Sequence, residues 1–325
     1  MSWRGCIATY KNTVLIYNPV AGKLRGGAPG KIRRLLEALE RRGIHATPFE
    51  TTGPGAATAM AREAVQKDID LVLAVGGDGT VNEVANGMIG SHVPMAALPG
   101  GTANVLAVEL GLGTHLESAV VKLEGCAPER VAVGRLSNDL GSRYFLLMAG
   151  AGLDAEIVYQ ISARLKESWG KLAYWLSAGV RLTRPVPEFD AVVNGRRSRC
   201  GFVLASRVKN YGGDLEIATG ASLADDAFEV VLFRGQNPLR YVAYFLGVAT
   251  GTLSRFEGVT IERARRVELM AADDRRLYIQ VDGEFAGRLP ATIEIVPDAL
   301  TLLAPADLRE RRSVKVADAL LPAPG

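Results

Sequence analysis

The sequence predicts a two-part chain: an N-terminal α/β domain built on a parallel sheet, then a second domain that is an antiparallel β-sandwich. Three observations point there. In the first third, short β-branched runs alternate with glycine-bearing turns and helical segments, the pattern of right-handed β-α-β crossovers. After about Arg130, strand-like runs dominate. The length of 325 residues suits about two domains at roughly 150 residues each.

Thr13 to Tyr17 is the first strand candidate, closed by Asn18-Pro19 and the loop Val20-Ala21-Gly22-Lys23. Lys31 to Arg42 places Ile32, Leu35, Leu36 and Leu39 at helical spacing, and Gly43 is well placed to end that helix. Ile44 to Thr51 reads as a strand and Gly55 to Gln66 as a helix. Asp70 to Val75 is almost wholly apolar, as a parallel strand buried on both faces must be. It runs into Gly76-Gly77-Asp78-Gly79-Thr80, with a helix expected from Val81 to Ile89. Met95 to Leu98 is a fourth strand, followed by Pro99-Gly100-Gly101-Thr102 and a helix from Ala103 to Leu110.

Further on, strands are expected over 130–136, 144–148, 189–193, 199–208, 228–233, 259–270, 277–281 and 292–296, with helical interruptions near 155–182 and 238–249. Asn194-Gly195 signals a two-residue hairpin. Alternation of Leu277, Ile279 and Val281 with polar neighbours buries one face. The expected division is 1–132, 133–304 and a tail, 305–325, that would pack back on the first domain.

Composition narrows the function. With 48% apolar and 22% charged residues, disordered, collagen-like and coiled-coil classes are excluded. The three cysteines, Cys6, Cys126 and Cys200, are dispersed, which excludes a disulfide scaffold and a Cys-x-x-Cys zinc module and fits a reducing cytoplasm. Only His45, His92 and His115 are available, without a His-Glu-x-x-His pattern. The beginning, MSWRGCIATYKNT, lacks a signal peptide's apolar core. The apolar runs Tyr144 to Ala151 and Tyr241 to Leu253 are broken by glycine or too short for a membrane span. A net charge of +3 gives no reason to expect nucleic acid.

In parallel sheets, ligands sit beyond the carboxyl ends of the strands. Asn18, the Gly76 to Thr80 loop and the Gly100 to Thr102 loop all lie at such ends and should converge. Closely spaced glycines allow several backbone N–H groups to point at one anion, and a helix N-terminus adds positive potential. A carboxylate within the turn, Asp78, can hold Mg²⁺ or take the proton of an attacking hydroxyl. The plainer reading is a tight turn with Asp78 as a local acceptor and Thr80 as an N-cap. Three glycine-bearing loops on one edge favour phosphate. No Gly-x-x-x-x-Gly-Lys-Ser/Thr motif is present. Gly150-Ala151-Gly152-Leu153-Asp154-Ala155 matches a dinucleotide fingerprint in form but lacks the acidic residue about twenty positions on.

Asn18-Pro19…Gly22, Val75 to Val84, Pro99-Gly100-Gly101-Thr102-Ala103-Asn104 and Val281-Asp282-Gly283-Glu284, in that order, resemble the diacylglycerol kinase catalytic family, which includes bacterial soluble diacylglycerol kinases, sphingosine kinases and ceramide kinases. The resemblance implies an ATP-binding domain related to 6-phosphofructokinase and NAD kinase, a β-sandwich domain, and an active site in the cleft between them. It further implies ATP and Mg²⁺ as cofactors and a lipid hydroxyl, most often that of diacylglycerol, as acceptor. Sphingoid bases, ceramide or NAD are the alternative acceptors, and a nucleotide- or lipid-binding regulator without turnover is the alternative class. Val105 stands where many family members carry Asp.

Under that resemblance Asp78 and Glu284 are the catalytic carboxylates, with Asp78 also engaging Mg·ATP. Asn18, Lys23, Gly76, Gly77, Gly79, Thr80, Glu83, Gly100, Gly101, Thr102 and Asn104 surround the nucleotide. Asp154 meets the lipid head group, and Asp214, beside Asn210-Tyr211-Gly212-Gly213, joins a structural Mg²⁺, although the residues themselves read first as a plain turn. On sequence alone Asp282-Gly283 reads as a hairpin turn and Asp154 as a helix cap. Positive charge outnumbers acid from Arg164 to Lys209, and Trp175 flanks an apolar helical stripe beside Arg164 and Lys171. That arrangement suits transient contact with an inner-leaflet bilayer, while the plainer and preferred reading is an ordinary solvated helix whose Trp packs on the neighbouring domain. A cytoplasmic, membrane-peripheral enzyme is expected, and the resemblance admits a homodimer.

Overall fold

The computed structural model describes residues 10–153, 155, 185–211, 215–271, 277–308 and 310. The chain forms two compact units. One is drawn from Met1–Val133, Leu223–Asp225 and Pro297–Gly325, the other from Gly134–Ser222 and Asp226–Val296.

The first unit is α/β. Its opening strands are β1 (Tyr10–Tyr17), β2 (Ile44–Glu50), β3 (Leu71–Gly76) and β4 (Met95–Pro99), ordered β2-β1-β3-β4 and all parallel. Between them run α1 (Ala28–Glu40), α2 (Ala56–Ala64) and α3 (Asp78–Met88), followed by the short α4 (Val105–Glu109) and α5 (Leu116–Lys122). Every residue of β3 and β4 is buried, which is why both read as unbroken apolar runs. On α1 the buried side chains are Ala28, Ile32, Leu35 and Leu39, one helical stripe.

Strand order reverses between β1 and β3, and at such a switch point the loops leaving the strands diverge to opposite faces. Register fixes which residues meet there. Tyr17 lies beside Val75, and Gly76 beside Pro99. The residues that follow, Asn18, Gly77 and Gly100, therefore leave the sheet side by side.

The second unit is an antiparallel sandwich. One layer follows the order β14-β13-β10-β7-β16-β17, where β7 is Met148–Gly152, β10 Phe202–Ser206, β13 Phe228–Phe233, β14 Val259–Ala264, β16 Tyr278–Val281 and β17 Glu284–Arg288. The other layer pairs β8 (Phe189–Val193) with β9 (Arg196–Cys200) and with β15 (Arg266–Met270), which in turn pairs the first residues of β18 (Ala291–Pro305). A hairpin of β5 (Cys126–Asn138) and β6 (Gly141–Phe145) joins it, and β11 (Asn210–Tyr211) pairs β12 (Leu215–Glu216) as a separate ribbon. The core includes Phe145, Phe189, Phe228, Val203, Val267 and Ile293, with Phe145 and Phe228 stacked at 5.7 Å. Asn194 and Gly195 both take positive φ, as a two-residue hairpin turn requires. This unit also holds helix α6 (Pro238–Ala249).

The chain returns to the first unit at Pro297. There Leu302 of β18 pairs in parallel with Met95, Gly90 N–H donates to the Ala299 carbonyl (2.8 Å), and Arg130 Nη1 donates to the Ser91 carbonyl (2.6 Å) and the Thr301 hydroxyl (3.2 Å). Among the described residues no helix is long and apolar enough to cross a membrane.

Gly150-Ala151-Gly152 lies within β7, paired to β10 and β16, in keeping with the rejection of a dinucleotide loop there, and one local expectation differs from the structure. Helix α3 does not start at Val81. It starts at Asp78, with Gly77 as N-cap, so Thr80 is a first-turn residue rather than the cap.

Candidate active site

At the carboxyl edge of the parallel sheet, two glycine loops lie backbone against backbone. Gly100 N–H donates to the Gly76 carbonyl at 2.9 Å. A Cβ placed on Gly101 would come within 2.4 Å of Gly77 Cα, and one on Gly100 within 2.9 Å of Gly76 N. A Cβ on Gly76 would meet the Thr80 side chain at 2.5 Å. These distances leave no room for side chains, so the glycines are needed for contact between the loops whatever else they bind. The third loop joins through Lys23 N–H to the Gly100 carbonyl (2.9 Å), and through Asn18 Nδ2, which donates to Thr80 Oγ1 (3.3 Å). Gly22 packs beside Thr102 Oγ1.

The structure thus brings together Asn18, Gly22, Gly76, Gly77, Thr80, Gly100, Gly101 and Thr102, with Asp78 and Gly79 in the first turn of α3. Gly77, Asp78 and Gly79 are half-buried and Thr102 is exposed, so the edge is open at these residues. The first N–H groups of an α-helix have no intrahelical acceptor, and this end carries the positive pole of the helix dipole. The arrangement can hold an anion.

Three expected site residues are otherwise engaged. Asn104, buried in the left-handed conformation at φ 51°, closes its own loop: its Oδ1 accepts from Gly101 N–H at 2.7 Å, and its Nδ2 donates to the Gly101 carbonyl at 2.9 Å. Glu83 reaches α2, where its two carboxylate oxygens accept from Gly55 N–H (3.0 Å) and Ala57 N–H (3.3 Å). Gly55, the N-cap of α2, has no side chain to do this itself. The Lys23 ammonium donates to the Thr114 carbonyl, and burial lowers its pKa from the usual lysine value.

In the second unit, Glu284 is exposed at the first position of β17 and forms an ion pair with Arg143 of β6. The preceding Asp282-Gly283 makes a two-residue turn with φ of 48° and 80°, and Val281 pairs with Glu284 across it. Asp282 is buried, and its carboxylate does more than a turn requires. Oδ2 accepts from Leu146 N–H, and Oδ1 from Leu147 and Met148 N–H, each at 2.9 Å. Its own N–H returns to the Met148 carbonyl at 2.9 Å. The fully buried Arg207 donates to the Leu146 carbonyl at 3.3 Å. The turn that presents Glu284 is therefore clamped to the segment between β6 and β7. Sequence reasoning placed Asp282 in a hairpin turn but missed its clamping role, and missed Arg143, because their partners lie some 140 positions away, beyond any local pattern. Asp154 and Asp214, together with the basic stretch around Trp175, lie outside the described residues.

Comparison with known proteins agrees with this architecture. Residues 12–136 match the model of the diacylglycerol kinase catalytic domain, and residues 148–304 match the YegS C-terminal NAD kinase beta sandwich-like domain. The diacylglycerol kinase of Bacillus subtilis (strain 168) is 29% identical over 291 residues, covering 86% of this chain and 92% of the relative. That of Mycobacterium tuberculosis (strain ATCC 25618 / H37Rv) is 27% identical over 296 residues, covering 89% and 93%. The crystal structure of a diacylglycerol kinase from Bacillus anthracis str. Sterne superimposes with a TM-score of 0.74 at 21% identity, over 92% of this chain and 99% of the other. Another structure from that organism reaches 0.78 at 19% identity, over 95% and 99%.

An α/β catalytic domain followed by this sandwich defines a lipid kinase. Residues 12–136 belong to the diacylglycerol kinase catalytic domain family, and a kinase of that family implies ATP as the phosphoryl donor.

Proposed function

We propose that the chain transfers the γ-phosphoryl group of ATP to the free hydroxyl of diacylglycerol, giving phosphatidic acid. The observation that carries this reading is the interlock of the Gly76–Thr80 and Gly100–Thr102 loops at a helix N-terminus, in a chain whose relatives are named for that activity. Phosphoryl transfer requires positioning and charge neutralisation more than covalent chemistry. Backbone N–H groups of Gly77 and Gly79, the Thr80 and Thr102 hydroxyls and Asn18 bind the triphosphate. Gly76, Gly100, Gly101 and Asn104 keep the loops in shape, Glu83 fixes α2 beneath them, and Lys23 adds positive charge.

Among the described residues no group of three or more His, Cys, Asp and Glu side chains could hold a metal ion alone. That suits Mg²⁺ entering with the nucleotide, since Mg²⁺ commonly takes one or two carboxylates and completes its shell with phosphate oxygens and water. Asp78 is the carboxylate for it, and bound Mg²⁺ would neutralise charge on the phosphates. Glu284 accepts the proton of the attacking hydroxyl or orients it, and Asp154 hydrogen-bonds the lipid head group. Asp214 contributes to a separate structural cation site. We place the enzyme on the cytoplasmic face of the membrane, touching it transiently.

A second reading, NAD as acceptor, draws on the match of residues 148–304 to an NAD kinase beta sandwich-like domain. Incubation with radiolabelled ATP and an equimolar mixture of diacylglycerol, sphingosine, ceramide and NAD tests both. Label is expected in phosphatidic acid, and label in NADP would overturn the lipid reading.

A further inference from the structure

The Asp282-Gly283 turn is held at its backbone, and the side chain that follows it is held by a different element. Asp282 accepts from the N–H groups of Leu146, Leu147 and Met148, and the buried Gln280 accepts from Gly283 N–H through Oε1 at 2.8 Å. Those bonds fix where β17 begins. They do not fix the Glu284 carboxylate, because an exposed glutamate turns about several bonds until something grips its end. Arg143 grips it. Its Nη2 donates to Glu284 Oε2, and among the described residues no other donor reaches the carboxylate.

Arg143 is itself held in place. It stands opposite Leu136 in the β5–β6 hairpin, close in sequence to Phe145, whose buried ring stacks on Phe228. The Ser137 and Ser142 hydroxyls meet beside it at 2.9 Å. The tip of the hairpin is fastened to β17, where Asn138 Nδ2 donates to the Ala286 carbonyl at 2.8 Å while its Oδ1 accepts from Leu140 N–H at 3.0 Å. Gly287 makes room for this contact. A Cβ there would lie 2.5 Å from Asn138 Nδ2, and its φ of 111° is one that side chains rarely allow. Hairpin and strand are thus set against each other so that the arginine of one meets the glutamate of the other.

The two paired side chains keep 33% and 46% of their exposure, and ion pairs this open to water add little to stability. Phe145 and Asn138 already anchor the hairpin without it. Orientation is what the pair supplies, since a guanidinium meets a carboxylate in a fixed plane. We propose that Arg143 is a positioning residue: by holding Oε2 it leaves Glu284 Oε1 set toward the acceptor hydroxyl. In the transfer, the hydroxyl oxygen bonds to the γ-phosphorus, the bond from that phosphorus to the ADP oxygen breaks, and the hydroxyl proton passes to Oε1. The inference rests on the reading of Glu284 as the carboxylate that meets the hydroxyl.

The test is a double-mutant cycle on the full chain, with diacylglycerol in mixed micelles and Mg·ATP. It compares wild-type protein, Arg143→Ala, Arg143→Lys, Glu284→Gln and Arg143→Ala/Glu284→Gln. Arg143→Ala is expected to lose ~10–10²-fold in kcat, as misplacement of a reacting group does. Its KM for ATP is expected to stay within ~2-fold of wild type, because the effect falls on the reacting step rather than on nucleotide binding. Its melting temperature is expected to be unchanged. Arg143→Lys keeps the charge without the planar fork and is expected to recover part of the loss. Since Arg143 acts through Glu284, the double variant is expected to be no slower than Glu284→Gln.

Wild-type kcat in Arg143→Ala, with Glu284→Gln slow, overturns the inference and leaves the role of Glu284 standing. Losses that multiply in the double variant also overturn it, since Arg143 would then act independently of Glu284. A fall in melting temperature that matches the loss of kcat in both Arg143 variants would make the pair a prop of the fold, and overturns it too. Wild-type turnover by Glu284→Gln removes the reading of Glu284 and the inference with it, as does absence of lipid phosphorylation by wild-type protein.

Discussion

Gly77 and Gly101 touch through their backbones: a Cβ on Gly101 would lie 2.4 Å from Gly77 Cα. The neighbour is main chain at a strand end and cannot rotate aside. Gly101→Ala is expected to lower stability by roughly 1–3 kcal/mol, the usual range for overpacking, and to raise the KM for ATP by separating the loops. Thermal melts and ATP kinetics check this. A variant with both wild-type melting and wild-type KM would mean that the loops can part without consequence.

Glu83 serves α2 from α3. Removing both acceptors in Glu83→Ala leaves the N-cap N–H of Gly55 and the first-turn N–H of Ala57 without them, a loss of about 1 kcal/mol typical of a helix cap. The melting temperature is expected to fall by a few degrees, with the KM for ATP changed less than ~2-fold. A large rise in that KM at unchanged melting temperature would instead put Glu83 against the nucleotide.

Asp282→Asn keeps the size of the side chain, and asparagine tolerates the left-handed φ of 48° at this position. It cannot accept three N–H bonds as a carboxylate does. Hydrogen bonds to a charged group are worth about 1.5–3 kcal/mol each, so a net loss of about 3 kcal/mol is expected. Turnover is expected to fall with it, because the same turn presents Glu284. Chemical denaturation and kcat measure the two effects. Unaltered stability would show that the clamp holds nothing.

The two described thiols, Cys126 and Cys200, are expected to be unreactive. Cys126 is pushed up to about 11, by burial first and then by the Asp307 carboxylate, while Cys200 is raised further by burial, then by Glu188 and Asp190. At pH 8 a thiol of that first value is thiolate in roughly one molecule per thousand. Alkylation of Cys126 should therefore be slow at pH 8 and accelerate about tenfold per pH unit until it nears that value, with Cys200 still protected. Peptide mapping after iodoacetamide treatment reads both sites. Rapid modification of either at pH 8 would contradict the burial described.

Local signals located much of this fold. The strands Phe189–Val193 and Phe228–Phe233 and the helix Pro238–Ala249 have the bounds expected from their strand-like and helical runs. Longer runs split where the chain changes partners. The run from Tyr144 breaks at Leu146-Leu147, whose N–H groups turn to Asp282. The run from Arg199 breaks at Gly201, which bonds to Phe233 and Leu153, and the run from Val259 breaks at Arg265, which accepts from Ile295.

The site divides in the same way. Asn18, the two glycine loops and Thr80 were legible because each stands at a strand end in a parallel sheet. The tasks of Asn104, Glu83 and Asp282 were not, because each depends on which backbone groups a side chain meets after folding. Asn104 closes on its own loop, and the other two reach elements distant in sequence.

The most direct measurement is transfer of label from radiolabelled ATP to diacylglycerol by purified wild-type protein, Asp78→Asn and Glu284→Gln, each shown to be folded. Wild-type protein is expected to yield phosphatidic acid in a Mg²⁺-dependent manner, and each variant to be slower by at least ~10²-fold, as loss of an acid–base or charge-stabilising group implies. No labelled lipid from wild-type protein, or both variants turning over at its rate, would contradict the assignment.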